Sequence, residues 1–245
     1  MKTLYVLAPF SHYCDAARWA LIANGEEANV RIVAYNPGAH IIASPVERLR
    51  EAGGGKKNPG FPLLLDASGN VEGLDSWSIV ERRGQVPPRA KELLDSVVGP
   101  IARAIYYEHY FKDADSKAMF KSRCQNVPIV SFWQRMIWYT PFADQVCDVM
   151  FNSMVKSAQH MTMQRQKLSD AFDELEPLLY QPPFTLETTG ASIALAALVY
   201  PLVVPTKPTP PSLELEAQHW RQHPIGKFSL AMYEKFPHFS HNYYP

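Results

Sequence analysis

Ser11-His12-Tyr13-Cys14-Asp15-Ala16-Ala17-Arg18-Trp19-Ala20-Leu21-Ile22 is the stretch that decides the fold. Ala17, Ala20 and Leu21 fall on one helical face, Asn24-Gly25 supplies a stop, and Ser11 stands where the helix opens. Thr3 to Leu7, just before it, reads as a strand. Strand, short link and helix predict an α/β unit. A helix N-terminus favours an anion by about 0.3–1 kcal/mol, because its first N–H groups lack intrahelical partners. Ser11 is therefore either a plain N-cap or a hydrogen-bond donor to an anion such as a thiolate.

Outward from this element, further strands are expected at Val30 to Ala34, at Pro62 to Leu65 and around Val71. Asp66-Ala67-Ser68-Gly69-Asn70 has hairpin chemistry, so the last two strands should be antiparallel. Proline is tolerated at the first position of a strand, which suits Phe61-Pro62, and an X-Pro bond at such a junction can be cis. Leu74-Asp75-Ser76-Trp77 reads as a strand exit followed by a capped helix. After Pro87-Pro88 the β signals stop, and helical periodicity runs through Ala90 to Phe111, Trp133 to Ala158 and Met161 to Leu179. Two domains are expected, an α/β domain over residues 1–84 and an all-helical domain over 90–245.

Composition narrows the function. Lys plus Arg and Asp plus Glu are 24 each, so no global field draws the chain to nucleic acid or an anionic membrane. Three scattered cysteines, Cys14, Cys124 and Cys147, indicate neither a disulfide framework nor a zinc cluster, and suit a reducing compartment. The apolar start is too short for a signal-peptide core, and the run from Ile193 to Val204, with Pro201 inside it, is too short to span a bilayer. His219 and His223 have metal-compatible spacing but no obvious third ligand, so no metal is expected. Gly53-Gly54-Gly55-Lys56 lacks the spacing of a phosphate-binding loop.

In their sequence order, Ser11-His12-Tyr13-Cys14 with Arg18, then Phe61-Pro62, then a hairpin and Asp75-Ser76 resemble the glutathione-binding half of cytosolic glutathione transferases. Pro183-Phe184 followed by Thr188 to Leu198 resembles the buried helix of the family's second half, with Thr189 as N-cap and Ser192 where an acidic residue is usual. His223 to Tyr233 is similar to the tail of many members. The resemblance implies a thioredoxin-like domain followed by a helical one that carries an electrophile pocket. It implies that Ser11 stabilises the glutathione thiolate, that Phe61 beside Pro62 pairs with the cysteinyl backbone, and that Asp75 and Ser76 hold the γ-glutamyl end. Lys57, with Lys56 and more weakly His40 behind it, is the candidate for the glycyl carboxylate. Tyr106 and Tyr110, one helical turn apart, are candidates to line the pocket together with Tyr13, or else they form a core stripe. Glutathione as co-substrate, an apolar electrophile, a homodimer and a cytoplasmic place in detoxification follow from the resemblance alone. A non-enzymatic binding module of the same fold and a thiol oxidoreductase using Cys14 stay as alternatives. His12 reads as an auxiliary polar contact or an exposed residue, and Cys14 as a buried small one.

Overall fold

The computed structural model describes residues 1–9, 11–39, 61–179, 181–204 and 209–235. Lys56, Lys57 and His40 lie outside these described residues. Strand β1 (Lys2–Leu7) is followed by α1 (His12–Ala23), β2 (Val30–Tyr35), β3 (Leu63–Leu65), β4 (Val71–Gly73) and the short helix α2 (Ser76–Val80). The strands form one sheet in the order β2-β1-β3-β4. β1 runs parallel to β2, antiparallel pairing joins β1 to β3, and β3 pairs antiparallel with β4. A parallel pair needs a crossover, and α1 supplies it, whereas β3 and β4 need only a tight turn. In that turn the Asp66 carboxylate accepts from the Ser68 and Asn70 N–H groups at 2.8 Å, and Gly69 takes φ +88°. This is a thioredoxin-like unit.

Beyond it the described residues are helical. One long helical rod is made of α3 (Pro88–Leu93), a π-helical turn over Leu94–Val98 and α4 (Gly99–Phe111). It is followed by α5 (Ala114–Gln125), α6 (Phe132–Ile137), α7 (Phe142–Met154), α8 (Ala158–Leu175), α9 (Gly190–Val203), α10 (Pro211–Trp220) and α11 (Pro224–Lys235). The helical periodicity from Trp133 to Ala158 is carried by two helices. The chain turns at Thr140-Pro141 between them, since proline has no N–H to continue the ladder.

Helix α9 is buried on nearly all sides, which its uniformly small and apolar sequence permits. It is the post on which both halves pack. Trp19 of α1 meets the Tyr233 ring edge-on at 4.9 Å, and Tyr233 stacks on Tyr200 of α9 at the same distance. At its N-terminus Thr189 caps the helix, accepting from the Ser192 N–H at 3.2 Å. Ser192 is too short to return the capping bond that a glutamate would make, and its hydroxyl instead bonds the Thr185 backbone at 2.6 and 3.0 Å, fixing the loop before the helix. Among the described residues no helix is long and apolar enough to cross a membrane.

The helical half also holds a partly buried ion network. Arg165 of α8 donates to Glu108 of α4 and to both oxygens of Glu216 on α10, and Trp220 Nε1 donates to Glu216 at 2.9 Å.

Candidate functional site

The sheet register places the sequence-predicted residues. Leu7 and Tyr35, the last residues of the two parallel strands, are partners, and α1 begins just past them. Tyr5 pairs with Leu63, so continuing the antiparallel register puts Phe61 level with Leu7. Strand β4 runs back towards the same end, where Asp75 opens α2. Ser11, Phe61, Pro62, Asp75 and Ser76 therefore all belong to the end of the sheet at which the parallel strands stop. In open α/β sheets, ligands bind at that end.

Ser11 is the N-cap of α1, with extended backbone and its Oγ accepting from the Cys14 N–H at 3.4 Å. That bond occupies an acceptor lone pair, and a hydroxyl keeps its own proton to donate elsewhere. Capping and donation to a ligand are compatible. Cys14 is buried, and its sulfur accepts from the Leu7 N–H at 3.3 Å. Burial pushes its thiol up to about 12, with the Ser11 and Leu7 contacts pulling the other way, so it keeps its proton at neutral pH. The Phe61–Pro62 bond is cis, and the Phe61 ring lies 5.8 Å from that of Tyr35.

Asp75 forms a capping box with Ser78: its carboxylate accepts from the Ser78 N–H at 2.7 Å, and Ser78 Oγ lies 3.3 Å from the Asp75 N–H. Asp75 is exposed and Ser76 is buried, so the side chains of this pair face different surroundings. The helix cap is made by Asp75 with Ser78.

A cleft of about 460 Å³ opens beside Ser11. Leu7, Ser11, Pro37 and Gly38 border it from the thioredoxin-like half. Arg103 and Tyr107 of α4 and the stripe Phe142, Val146, Val149 and Met150 of α7 border it from the helical half. Gly38 has φ +83°, and a Cβ there would come within 2.7 Å of Val146 Cγ2, so glycine lets α7 close over the loop after β2.

The aromatic assignments shift with the structure. Tyr110 is 0% exposed, its ring 4.5 Å from Tyr106 and 5.7 Å from Phe120, so it belongs to the core and not to the cleft. Tyr106 is also buried, accepts a hydrogen bond from Arg123 at 2.5 Å, and borders a chamber of about 20 Å³ behind the cleft, room for a water. Tyr13 turns to the π-helical turn, where its hydroxyl donates to the Asp95 carbonyl at 3.3 Å. Burial raises the Tyr13 phenol to about 12, so it stays protonated. A Cβ at Gly99 would come within 2.2 Å of that hydroxyl, so this approach requires glycine. Trp77 Nε1 donates to the Asp95 carboxylate at 2.9 Å, which makes the π turn the dock for both α1 and α2.

His12 is 3% exposed, between α1 and the helical half, and not at the surface. Its pKa is held well below the ordinary value by burial and by the nearby Arg103 charge, so it is neutral. Asp15, also at this junction, has a carboxyl raised to about 6 by burial, with Arg18 opposing.

Of the cleft residues, Tyr107 reads from sequence as a pair with Phe111 on the face adjoining Tyr106 and Tyr110, whereas Arg103 and the α7 stripe do not stand out there. Two signals point to them: Arg103 and Tyr107 are one turn apart on the face beside Tyr106 and Tyr110, and Phe142, Val146 and Met150 repeat every four residues.

Comparison with protein-family models gives no match, and comparison with curated proteins gives none either. Among solved structures, that of Gtt2 from Saccharomyces cerevisiae aligns over 93% of this chain and 99% of that chain, with 15% identity and a TM-score of 0.46. So distant a likeness says nothing of activity. The chain's own sheet order and helix succession make it a thioredoxin-like unit followed by a helical one.

Proposed function

We propose that this chain is a glutathione S-transferase that joins the glutathione sulfur to an apolar electrophile. The observation that carries the reading is Ser11, a hydroxyl at the first turn of α1 that borders a cleft with an apolar far wall. Glutathione would lie across the end of the sheet, with Phe61 beside Pro62 offering backbone to its cysteinyl unit and the Asp75-Ser76 corner taking its γ-glutamyl end. Lys57 is the proposed partner of the glycyl carboxylate.

The Ser11 hydroxyl donates to the thiolate, and the adjoining helix N-terminus favours the same charge. Each unit of thiol pKa lowered corresponds to about 1.4 kcal/mol, within reach of one charge-assisted hydrogen bond and a helix end. The thiol proton passes to solvent. The sulfur electron pair then forms a C–S bond to the electrophilic carbon, and the leaving group departs with the pair of the bond that breaks. The α7 stripe and Tyr107 hold the electrophile by burying its apolar surface, so proximity supplies much of the rate. The proposal carries with it a cytoplasmic homodimer.

Ser11→Ala should lower kcat/KM for a chlorodinitrobenzene at least about tenfold, equivalent to about 1.4 kcal/mol of transition-state stabilisation. Glutathione affinity should stay within about twofold. Loss of the cap alone costs about 1 kcal/mol of stability, so Ser11→Asp, which keeps an acceptor for the Cys14 N–H but has no proton to donate, separates the two roles. It should lose turnover like alanine, while Ser11→Thr keeps most of it. Unchanged turnover in Ser11→Ala would remove Ser11 from the mechanism. Retention of the wild-type chain on immobilised glutathione without any conjugation would make it a binding module.

A further inference from the structure

Arg103 is half-buried on α4 and borders both the cleft and the small chamber behind it. Its guanidinium lies over the Tyr13 ring, 5.3 Å from the centroid. Among the described residues no carboxylate comes within ion-pair distance of it. Asp15, which shares the chamber, has Arg18 as its charge partner. The cleft side chains nearest in sequence and across from it, Tyr107, Phe142, Val146 and Met150, bring no opposite charge. A ring face returns only about 0.5–2 kcal/mol to a cation, whereas withdrawing a charge from water costs several. Among the described residues the cleft side of Arg103 brings it no opposite charge.

We infer that Arg103 is a specificity residue that selects second substrates carrying a carboxylate on an apolar body. The inference rests on reading the cleft as the electrophile site. A guanidinium fork matches a carboxylate in geometry, and the pair gains more in a half-enclosed cleft than in water. An anionic electrophile brought to a thiolate is repelled by it, and Arg103, bordering the same cleft as Ser11, offsets that repulsion. Glutathione has carboxylates too. Arg103, however, comes from α4 on the helical wall, which it shares with Tyr107, Gln145 and the α7 stripe, whereas Phe61 and Asp75 belong to the thioredoxin-like half.

The test compares a chloronitrobenzoate with its uncharged amide, measuring equilibrium binding by calorimetry without glutathione and conjugation with it. The wild-type chain should bind the benzoate at least about tenfold more tightly than the amide, and that preference should shrink as ionic strength is raised. Arg103→Gln should weaken benzoate binding about tenfold and leave the amide within about twofold, with Arg103→Lys intermediate. Equal binding of the two arenes by the wild-type chain overturns the inference, and this arm needs no folded variant. A loss in Arg103→Gln that falls on glutathione and spares the benzoate overturns it as well, since the carboxylate recognised is then the tripeptide's. If the wild-type chain selects the benzoate yet conjugates neither arene, the transferase reading fails and what stands is Arg103 as the carboxylate-binding residue of the cleft. If it conjugates both without regard to charge, the reverse holds.

Discussion

Glu216→Gln should lower the unfolding free energy at pH 7 by about 2–3 kcal/mol, measured by urea denaturation. Glu216 accepts from Arg165 at 2.9 and 3.1 Å and from Trp220 at 2.9 Å, and His109 Nε2 lies 3.2 Å away. Burial pushes its carboxyl up, but the contacts with His109, Arg165 and Trp220 outweigh this and hold it down at about 2. Removing one member of a buried pair typically costs about 3–5 kcal/mol because the other charge is stranded. The lower figure applies because Arg165 keeps Glu108 and is partly exposed. The pH dependence has a definite sign. A carboxyl depressed from an unfolded value near 4.5 to about 2 contributes its full stability above pH 4.5 and loses it as pH falls through 2. Glutamine has no such titration, so the gap between wild type and variant should shrink to less than about half at pH 3. A gap that is constant from pH 7 to pH 3 would mean that the network is held by packing and not by charge.

Gly190→Ala should cost about 2–3 kcal/mol in the same experiment, and for a different reason. Gly190 begins α9, and a Cβ there would lie 2.5 Å from the Gly84 carbonyl oxygen and 2.7 Å from that of Val80. Both are backbone atoms of the segment that closes the thioredoxin-like half, so no side chain can swing aside. The methyl group must push α9 away from that segment. Arg83 fastens the same seam, donating to the Thr188 carbonyl at 2.8 Å and to its hydroxyl at 3.1 Å. Because the apolar core runs from Leu4 and Val6 through Ala17 and Leu21 into α9, the loss should appear in one cooperative transition for both halves. A change below about 0.5 kcal/mol, or a separate early transition of one half, would show that the seam does not couple them.

How far the site was legible differs from residue to residue. Ser11 was legible because a hydroxyl before an amphipathic run has few places to be other than a helix entrance, and the structure makes it the N-cap of α1. The hairpin was legible because Asp66 to Asn70 carries its own turn chemistry, and β3 and β4 pair antiparallel around it. The tyrosines were not. Tyr106 and Tyr110 share a helical face with the same spacing as Arg103 and Tyr107, and nothing local says which face meets a cavity. The structure sends Tyr110 into the core against Phe120 and leaves Arg103 and Tyr107 at the cleft.

His12 shows the same limit. A histidine beside a helix start has no local reason to be buried, yet it is buried where Gly99 and Arg103 of α4 come close to it. The thioredoxin-like order of elements, the helical second half and the capping of α1 are consequences of local propensity, periodicity and turn chemistry, which single segments carry in their own residues. The cleft, its cation, the chamber behind it and the docking of α1 and α2 on the π turn depend on pairs far apart in the chain, such as Tyr13 with Asp95 and Gly38 with Val146. Those pairs are fixed by packing between halves, which no local pattern encodes.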